Sequence, residues 1–117
     1  MVRINQLPMG LNDLKFVVPH NVHVILIPKC ESAITVKDVE EEINIIKAMN
    51  NISAEIYLMP IIESALGVVK SYEIASASDK VCALAVGLED YTADLGVERT
   101  NEGKESFYAR SAIVNAA

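Results

Sequence analysis

The chain has 117 residues, a hydrophobic fraction of 51% and a formal net charge of −6. That length fits one domain at most, over residues 1–117. The acidic balance excludes nucleic acid as a main partner, because phosphate binding needs a basic face. Anionic ligands stay open, since five basic residues could cluster locally: Arg3, Lys29, Lys70, Arg99 and Arg110.

The two cysteines, Cys30 and Cys82, lie far apart and show no metal-binding or redox spacing. They predict reduced thiols in or near the core, as is usual in cytosolic proteins. No apolar run approaches the ~18 residues that a membrane span needs, and the N-terminus lacks a signal pattern. We therefore expect a soluble cytoplasmic protein with no membrane partner.

The first elements are a strand end, a short helix and a strand. Residues 2–5 alternate apolar and polar side chains, which is typical of a strand. Residues 8–10 predict a turn, and Asn12 predicts the N-cap of a helix over residues 12–18. The β-branched run at residues 22–27, which a proline follows, predicts the next strand.

The clearest helix comes next. Thr35 and Asp38 resemble a capping box at its start. Apolar residues then recur every three or four positions until two asparagines end the pattern, which indicates an amphipathic helix with a solvated charged face. The apolar stripe consists of Val36, Val39, Ile43, Ile46 and Met49.

The second half of the chain predicts two more strand–helix units. Residues 56–62 and 81–87 are apolar and predict strands, with a helix near residues 65–75 between them. Residues 91–96 predict a tight segment. A last helix is expected from about Gly103 to the end of the chain.

An internal repeat supports this assignment of units. Residues 28–32 and 60–64 share the pattern Pro-x-x-Glu-Ser, 32 residues apart, each after an apolar run. A period of this size fits stacked βα units, and alternating strands and helices predict a parallel α/β sheet. A closed TIM (β/α)₈ barrel has eight strands in roughly 250 residues. A flavodoxin-like sheet has about five. Four strands fall short of both, and the chain looks like a piece of a larger barrel, about half of it.

Two acids follow neighbouring strands of this sheet. Glu63 comes directly after residues 56–62, and Asp90 comes three residues after Gly87. The carboxyl ends of parallel strands lie side by side, and active sites are built there. The two carboxylates could share one hard divalent cation, for which Mg²⁺ is the best candidate. On spacing alone, each fits a helix cap or a surface acid at least as well.

Longer stretches carry a family resemblance. Residues 58–68 read Leu-Met-Pro-Ile-Ile-Glu-Ser-Ala-Leu-Gly-Val, and residues 88–96 contain Glu-Asp-Tyr-Thr-x-Asp-Leu-Gly, which is quite specific. Residues 2–5, 27–32 and 108–111 match in type and order. Together they resemble the citrate lyase beta subunits, the citryl-CoA lyase branch of the HpcH/HpaI aldolase family. The resemblance covers essentially the whole chain.

The resemblance implies a TIM barrel of which this chain is an internal fragment, roughly strands 3 to 6. It also implies a Mg²⁺ cofactor and cleavage of a carbon–carbon bond beside a CoA thioester. By motif position, Glu63 and Asp90 match the metal ligands, and Glu63 also borders the substrate. Arg3 matches the arginine that contacts the substrate, which makes it the candidate catalytic and substrate-binding residue.

Other polar residues near these motifs are expected to have structural roles. Lys29 and Glu31 could line the same site at the carboxyl ends of the strands, or they could form an ion pair. Glu89 is expected in a salt bridge, and Asp94 is expected to cap or orient the 91–96 segment. Ser64 predicts a helix cap. The two histidines, His20 and His23, lack a partner at ligand spacing and are expected at the surface or packed.

Three functions stay open at this point. The first is a Mg²⁺-dependent lyase that cleaves citryl-CoA, or a related β-hydroxyacyl-CoA, to acetyl-CoA and oxaloacetate. The second is an aldolase acting on a free 2-oxo acid. The third is an inactive fragment, or a subunit that works only with a partner. Unpaired sheet edges favour self-association, so we expect a homo-oligomer. The resemblance also implies an acyl-carrier thioester or other citrate lyase subunits as partners.

Overall fold

Four parallel strands form one sheet in the computed structural model, which describes residues 1–117. The strands follow chain order across the sheet, and every neighbouring pair is parallel. They are β1 (Val2–Arg3), β2 (Val24–Ile27), β3 (Tyr57–Ile62) and β4 (Ala85–Val86). Helices connect each strand to the next, so the predicted α/β class is confirmed.

Six α-helices and two short 3₁₀ turns complete the fold. None of the helices is long and apolar enough to span a membrane. The helices are α1 (Met9–Val17), α2 (Ala33–Met49), α3 (Ala65–Val69), α4 (Ser71–Ala75), α5 (Leu88–Leu95) and α6 (Phe107–Ala116), and the 3₁₀ turns are Val18–His20 and Lys104–Ser106.

The core lies between the sheet and its helices. Ile25 and Ile27 on β2 and Leu58 on β3 are buried, in one cluster with Val36 and Val39 of α2. Side chains alternate between the two faces of a strand, so these strand residues share the face that the helices cover. Apolar burial of this kind is the main stabilising contribution to the fold.

The first helix begins earlier than predicted. It starts at Met9 directly after Pro8, so the expected turn over residues 8–10 and the Asn12 cap are wrong. Asn12 lies inside the helix, where its side chain accepts a hydrogen bond from Lys15 at 3.3 Å. Gly10 is buried against the segment that follows β1: a Cβ there would fall 2.1 Å from the Asn5 carbonyl oxygen. Gly10 is therefore required for close packing, although in the sequence it resembled a turn signal.

The cap of α2 also differs from the prediction. Ser32, not Thr35, is the N-cap, and its hydroxyl accepts the Thr35 N–H at 3.3 Å. Thr35 adds a hydroxyl–hydroxyl contact of 3.1 Å. The apolar stripe is buried as predicted, except for Met49, which is 78% exposed in the last turn.

The second half of the chain departs further from its predicted boundaries. The helix expected over residues 65–75 is two helices, α3 and α4, on either side of Lys70. The strand expected over residues 81–87 shrinks to β4, with Val81 making one isolated bridge. The tight segment expected at residues 91–96 belongs to α5, which ends at Gly96 in the left-handed conformation.

Candidate functional site

A cavity of about 290 Å³ opens where the ends of β2 and β3 meet the start of α5. Its lining carries four carboxylates and one lysine, and a single residue of the lining is hydrophobic. The lining residues are Lys29, Glu31, Glu63, Ser64, Asp90, Ala93 and Asp94. The fold therefore brings together the two acids singled out from the strand ends.

Glu63 is the most enclosed carboxylate of the cavity, at 8% exposure. Its Oε2 accepts the backbone N–H of Lys29 at 3.0 Å. Lys29 presents this N–H from the left-handed conformation, at φ 47°, which is unusual for a residue other than Gly, Asn or Asp. The backbone after β2 thus holds the carboxylate that follows β3.

Gly87 gives Glu63 the space it occupies. A Cβ at position 87 would lie 2.5 Å from Oε1 of Glu63 and 2.7 Å from its Cγ. The Gly87 N–H donates to the Ile62 carbonyl at 2.9 Å, which fixes the two segments side by side. Gly87 is needed here for close approach, since its φ of −99° suits any residue.

Asp90 reaches the same cavity from the first turn of α5, where its side chain is exposed. No side chain caps this helix at Gly87, but Glu89 and Asp90 place negative charge near its free N–H groups, and that arrangement is favourable. Glu89 forms an exposed ion pair with Arg99, as expected.

Ser64 and Asp94 share the N-terminus of α3. Ser64 is its N-cap, as predicted, and its hydroxyl accepts the Gly67 N–H at 3.1 Å. Asp94 accepts the Ala65 N–H on Oδ2 at 2.8 Å. The role predicted for Asp94 is therefore wrong: it bonds to α3, not to the 91–96 segment. Its position four residues after Asp90 was the signal available in the sequence.

Several candidate residues lie outside the cavity. Arg3 is exposed on β1, where it pairs with Leu26, and it does not line the cavity. His20 and His23 are exposed, and Nδ1 of His20 lies 2.6 Å from the Phe16 carbonyl oxygen.

The basic residues that could have clustered have separate partners. Lys70 pairs with Glu73 at 3.1 Å, Arg99 pairs with Glu89, and Arg110 donates to the Gly103 carbonyl at 3.1 Å. Each of these cations thus binds a different partner, and Lys29 is the basic residue left at the cavity.

The two cysteines have different surroundings. Cys30 is fully buried beside the cavity, and burial raises the pKa of its thiol to about 11. Cys82 is exposed, so the prediction of a position in or near the core is wrong for it. Both are free, and a thiol with a raised pKa is a poor nucleophile and metal ligand.

The donor set of the cavity suits a small hard cation. No three Asp, Glu, His or Cys side chains converge closely enough to hold a metal ion by themselves. Mg²⁺ needs only one or two protein carboxylates, because water and substrate oxygens complete its octahedron. Glu63 and Asp90 supply two such carboxylates at one cavity.

Known proteins resemble the whole length of the chain. It is 41% identical over 120 residues to citrate lyase subunit beta of Escherichia coli K12, and 100% of the chain is covered. It is 31% identical over 107 residues to the malyl-CoA/beta-methylmalyl-CoA/citramalyl-CoA lyase of Chloroflexus aurantiacus, with 87% of the chain and 31% of that relative covered.

A solved structure agrees with the sequence comparison. The citrate lyase beta subunit of Mycobacterium tuberculosis, complexed with oxaloacetate and magnesium, superposes with a TM-score of 0.76 at 28% identity. The match covers 99% of this chain and 48% of that one.

The chain spans about 40% of the length of the Escherichia coli relative and about half of the Mycobacterium tuberculosis structure. That share agrees with the expected half of a TIM barrel. The sequence model of the HpcH/HpaI aldolase/citrate lyase family matches residues 1–117. The chain belongs to the HpcH/HpaI aldolase/citrate lyase family.

Proposed function

We propose that this chain supplies the Mg²⁺-binding part of a lyase that cleaves citryl-CoA, or a related β-hydroxyacyl thioester, to acetyl-CoA and oxaloacetate. The observation that carries the proposal is the meeting of Glu63 and Asp90 at one cavity, from two successive strand–helix units. The names of the relatives support the substrate class, because they include citrate lyase beta subunits and malyl-CoA lyases.

The chemistry requires a proton to leave the substrate hydroxyl while the adjacent carbon–carbon bond breaks. The electron pair of that bond passes to the thioester as an enolate, which then takes a proton on carbon to give acetyl-CoA. Bound Mg²⁺ supplies a Lewis acid for the substrate oxygens. Glu63 and Asp90 would hold the ion.

Chain residues orient this site before any ligand arrives. Glu63 is fixed by the Lys29 N–H and by the space over Gly87, so its carboxylate need not reorganise on binding. Asp90 is more exposed and can adjust. We assign Arg3 to the anionic oxygens of the substrate, because a planar and permanently charged guanidinium suits them. Arg3 lies two strands away from Glu63, on β1.

A neighbouring cavity offers room for a larger substrate. It measures about 360 Å³ and shares Lys29 and Glu31 with the first. Its wall includes Leu7, Pro28 and Leu66 as well as polar side chains. A mixed surface of this kind suits the amide-rich arm of a CoA or acyl-carrier thioester. This adjacency favours a thioester over a free 2-oxo acid.

We also propose that this chain, produced by itself, forms a homo-oligomer. Strands β1 and β4 are the edges of the sheet, and each has a strand partner on one side only. Open edges are sites of pairing with another chain. A second copy of this chain, or another citrate lyase subunit, could occupy them.

Calorimetric titration with Mg²⁺ tests the metal site. We expect Glu63→Gln and Asp90→Asn each to lower the affinity at least about tenfold, since each removes a charged ligand. Glu89→Gln is the matched control: it removes the same charge from α5 but outside the cavity. Equal affinity in all four proteins contradicts the proposal.

Substrate assays then distinguish a thioester lyase from an aldolase that acts on a free 2-oxo acid. The proposal predicts Mg²⁺-dependent cleavage of citryl-CoA or malyl-CoA, and none of pyruvate-derived hydroxy acids. Cleavage of the free acids alone would support the aldolase instead.

A further inference from the structure

The placement of Asp94 is unfavourable for its own helix. It lies in the last turn of α5, where the helix dipole disfavours negative charge. It also lies four residues after Asp90, and like charges at that spacing repel. A residue that conflicts with its local surroundings indicates a role elsewhere in the structure.

The contacts of Asp94 show where that role lies. Its Oδ2 accepts the Ala65 N–H at 2.8 Å. Ala65 is the first residue of α3 and follows Glu63 by two positions. Asp90 and Asp94 sit on one face of α5 and line the same cavity as Glu63. The hydrogen bond therefore joins the segment that carries one candidate metal carboxylate to the segment that carries the other.

Asp94 does not form a three-carboxylate metal site with Glu63 and Asp90, because no three acidic, histidine or cysteine side chains converge closely enough to form a metal-binding group. Its Oδ2 instead accepts the Ala65 N–H. Ser64 satisfies a different amide of the same helix end, that of Gly67, so it does not replace Asp94.

We infer that Asp94 is a positioning residue: from the last turn of α5 it holds that helix, and with it Asp90, against the segment that carries Glu63. This inference rests on the proposed function of the two carboxylates. The contact needs an acceptor oxygen and not a charge. Asp94→Asn should therefore keep the contact, and Asp94→Ala should lose it.

The test compares the unmutated chain with Asp94→Asn and Asp94→Ala. In the Ala variant, we expect the Mg²⁺ affinity measured by calorimetry to fall about tenfold, as is typical when a group that orients a metal ligand is removed. In the Asn variant, we expect affinity within about fivefold of the unmutated chain, because one exposed charge contributes little in water. Glu89→Gln serves again as the charge-matched control.

Hydrogen exchange of the Ala65 amide provides a readout that needs no metal. It should accelerate in Asp94→Ala and stay protected in Asp94→Asn. An affinity loss in Asp94→Asn as large as in Asp94→Ala overturns the inference, because the charge would then be what matters. Unchanged affinity in Asp94→Ala also overturns it, since a purely structural hydrogen bond would alter only the unfolding curve.

The two readouts separate this inference from the proposed function. If the unmutated chain binds no Mg²⁺, the proposed function fails, and Ala65 exchange alone decides the positioning role. Faster exchange in Asp94→Ala, with protection kept in Asp94→Asn, then supports the contact between the segments. The same exchange rate in all three proteins overturns it.

Discussion

The carboxylate of Glu63 occupies the space that a side chain at Gly87 would fill. A Cβ built there lies 2.5 Å from Oε1 and 3.0 Å from Cδ of Glu63. Cγ of Glu63 would lie 2.7 Å from the same Cβ, so the whole side chain would have to move and its bond to the Lys29 N–H would be lost. A methyl group at position 87 should therefore disturb the candidate metal site more than the rest of the fold.

Gly87→Ala should weaken metal binding more than it weakens the fold. We expect it to lower the free energy of unfolding by about 1–2 kcal/mol, because the displaced Glu63 loses its hydrogen bond to the Lys29 N–H. Displacement of Glu63 should lower the Mg²⁺ affinity about tenfold or more. Urea denaturation and calorimetric titration measure the two quantities.

Gly96→Ala is the matched control for that variant. A Cβ at position 96 meets no atom within 4 Å, but φ is +68°. Alanine there should cost about 1 kcal/mol of stability through backbone strain and leave Mg²⁺ affinity unchanged. Equal metal affinity in the Gly87→Ala and unmutated chains would contradict the role of Gly87.

The left-handed backbone at Lys29 gives a second prediction. Its N–H holds Glu63, at a φ of 47°. Lys29→Gly should keep that conformation, with Mg²⁺ affinity and stability close to those of the unmutated chain. Lys29→Val loses the same charge, but a β-branched residue disfavours this φ. We expect Lys29→Val to lose about 1–2 kcal/mol of stability and to bind Mg²⁺ more weakly. Identical titrations of the two variants would show that the backbone is not the anchor.

The two cysteines should react at different pH values. Burial raises the pKa of the Cys30 thiol from 9.0 to about 11, so alkylation by iodoacetamide at pH 8 should modify exposed Cys82 and spare Cys30. Mass spectrometry of peptides from the folded protein measures this, and modification of Cys30 at the same rate would contradict its burial.

The same shift makes stability depend on pH. Because the folded state keeps the Cys30 proton at higher pH than the unfolded chain does, its contribution to stability is fully present below pH 9 and lost as pH rises towards 11. Cys30→Ala removes the titrating thiol. Urea denaturation should therefore show a smaller loss of stability between pH 9 and pH 11 in that variant, and an equal loss in both proteins would argue against the shift.

The open sheet edges predict association in solution. Light scattering of the purified chain should give a mass of at least two copies, falling as the protein is diluted, because β1 and β4 each lack one neighbour. A monodisperse monomer that unfolds cooperatively would refute the proposed oligomer.

Sequence patterns predicted the strands and the two acids at their ends because those signals are local. The β-branched run of β2 and the spacing of Val36 and Val39 depend on neighbouring residues alone. The start of α1 did not follow from such a pattern. Gly10 suggested a turn, but its small size is needed because its backbone packs against the Asn5 carbonyl oxygen. Tertiary packing, not propensity, set that boundary.

The candidate site also combines residues with a local sequence signal and contacts that depend on tertiary structure. Glu63 and Asp90 were identified from sequence, and the structure places both at one cavity. The bond of Asp94 to Ala65 crosses 29 residues of chain, and the Lys29 N–H reaches Glu63 across 34. No periodicity encodes a contact between a backbone amide and a distant carboxylate, so the groups that orient the site appear only with the fold.

The hydrogen bond from Lys29 to Oε2 bears on which ions the site would accept. That bond occupies one of the two lone pairs of Oε2, so a cation chelated through both oxygens would have to share Oε2 with the N–H. Calcium sites commonly draw on such two-oxygen ligation and on six to eight donors, whereas magnesium is satisfied by one oxygen from each of one or two carboxylates. We therefore expect the anchored Glu63 to favour magnesium over calcium.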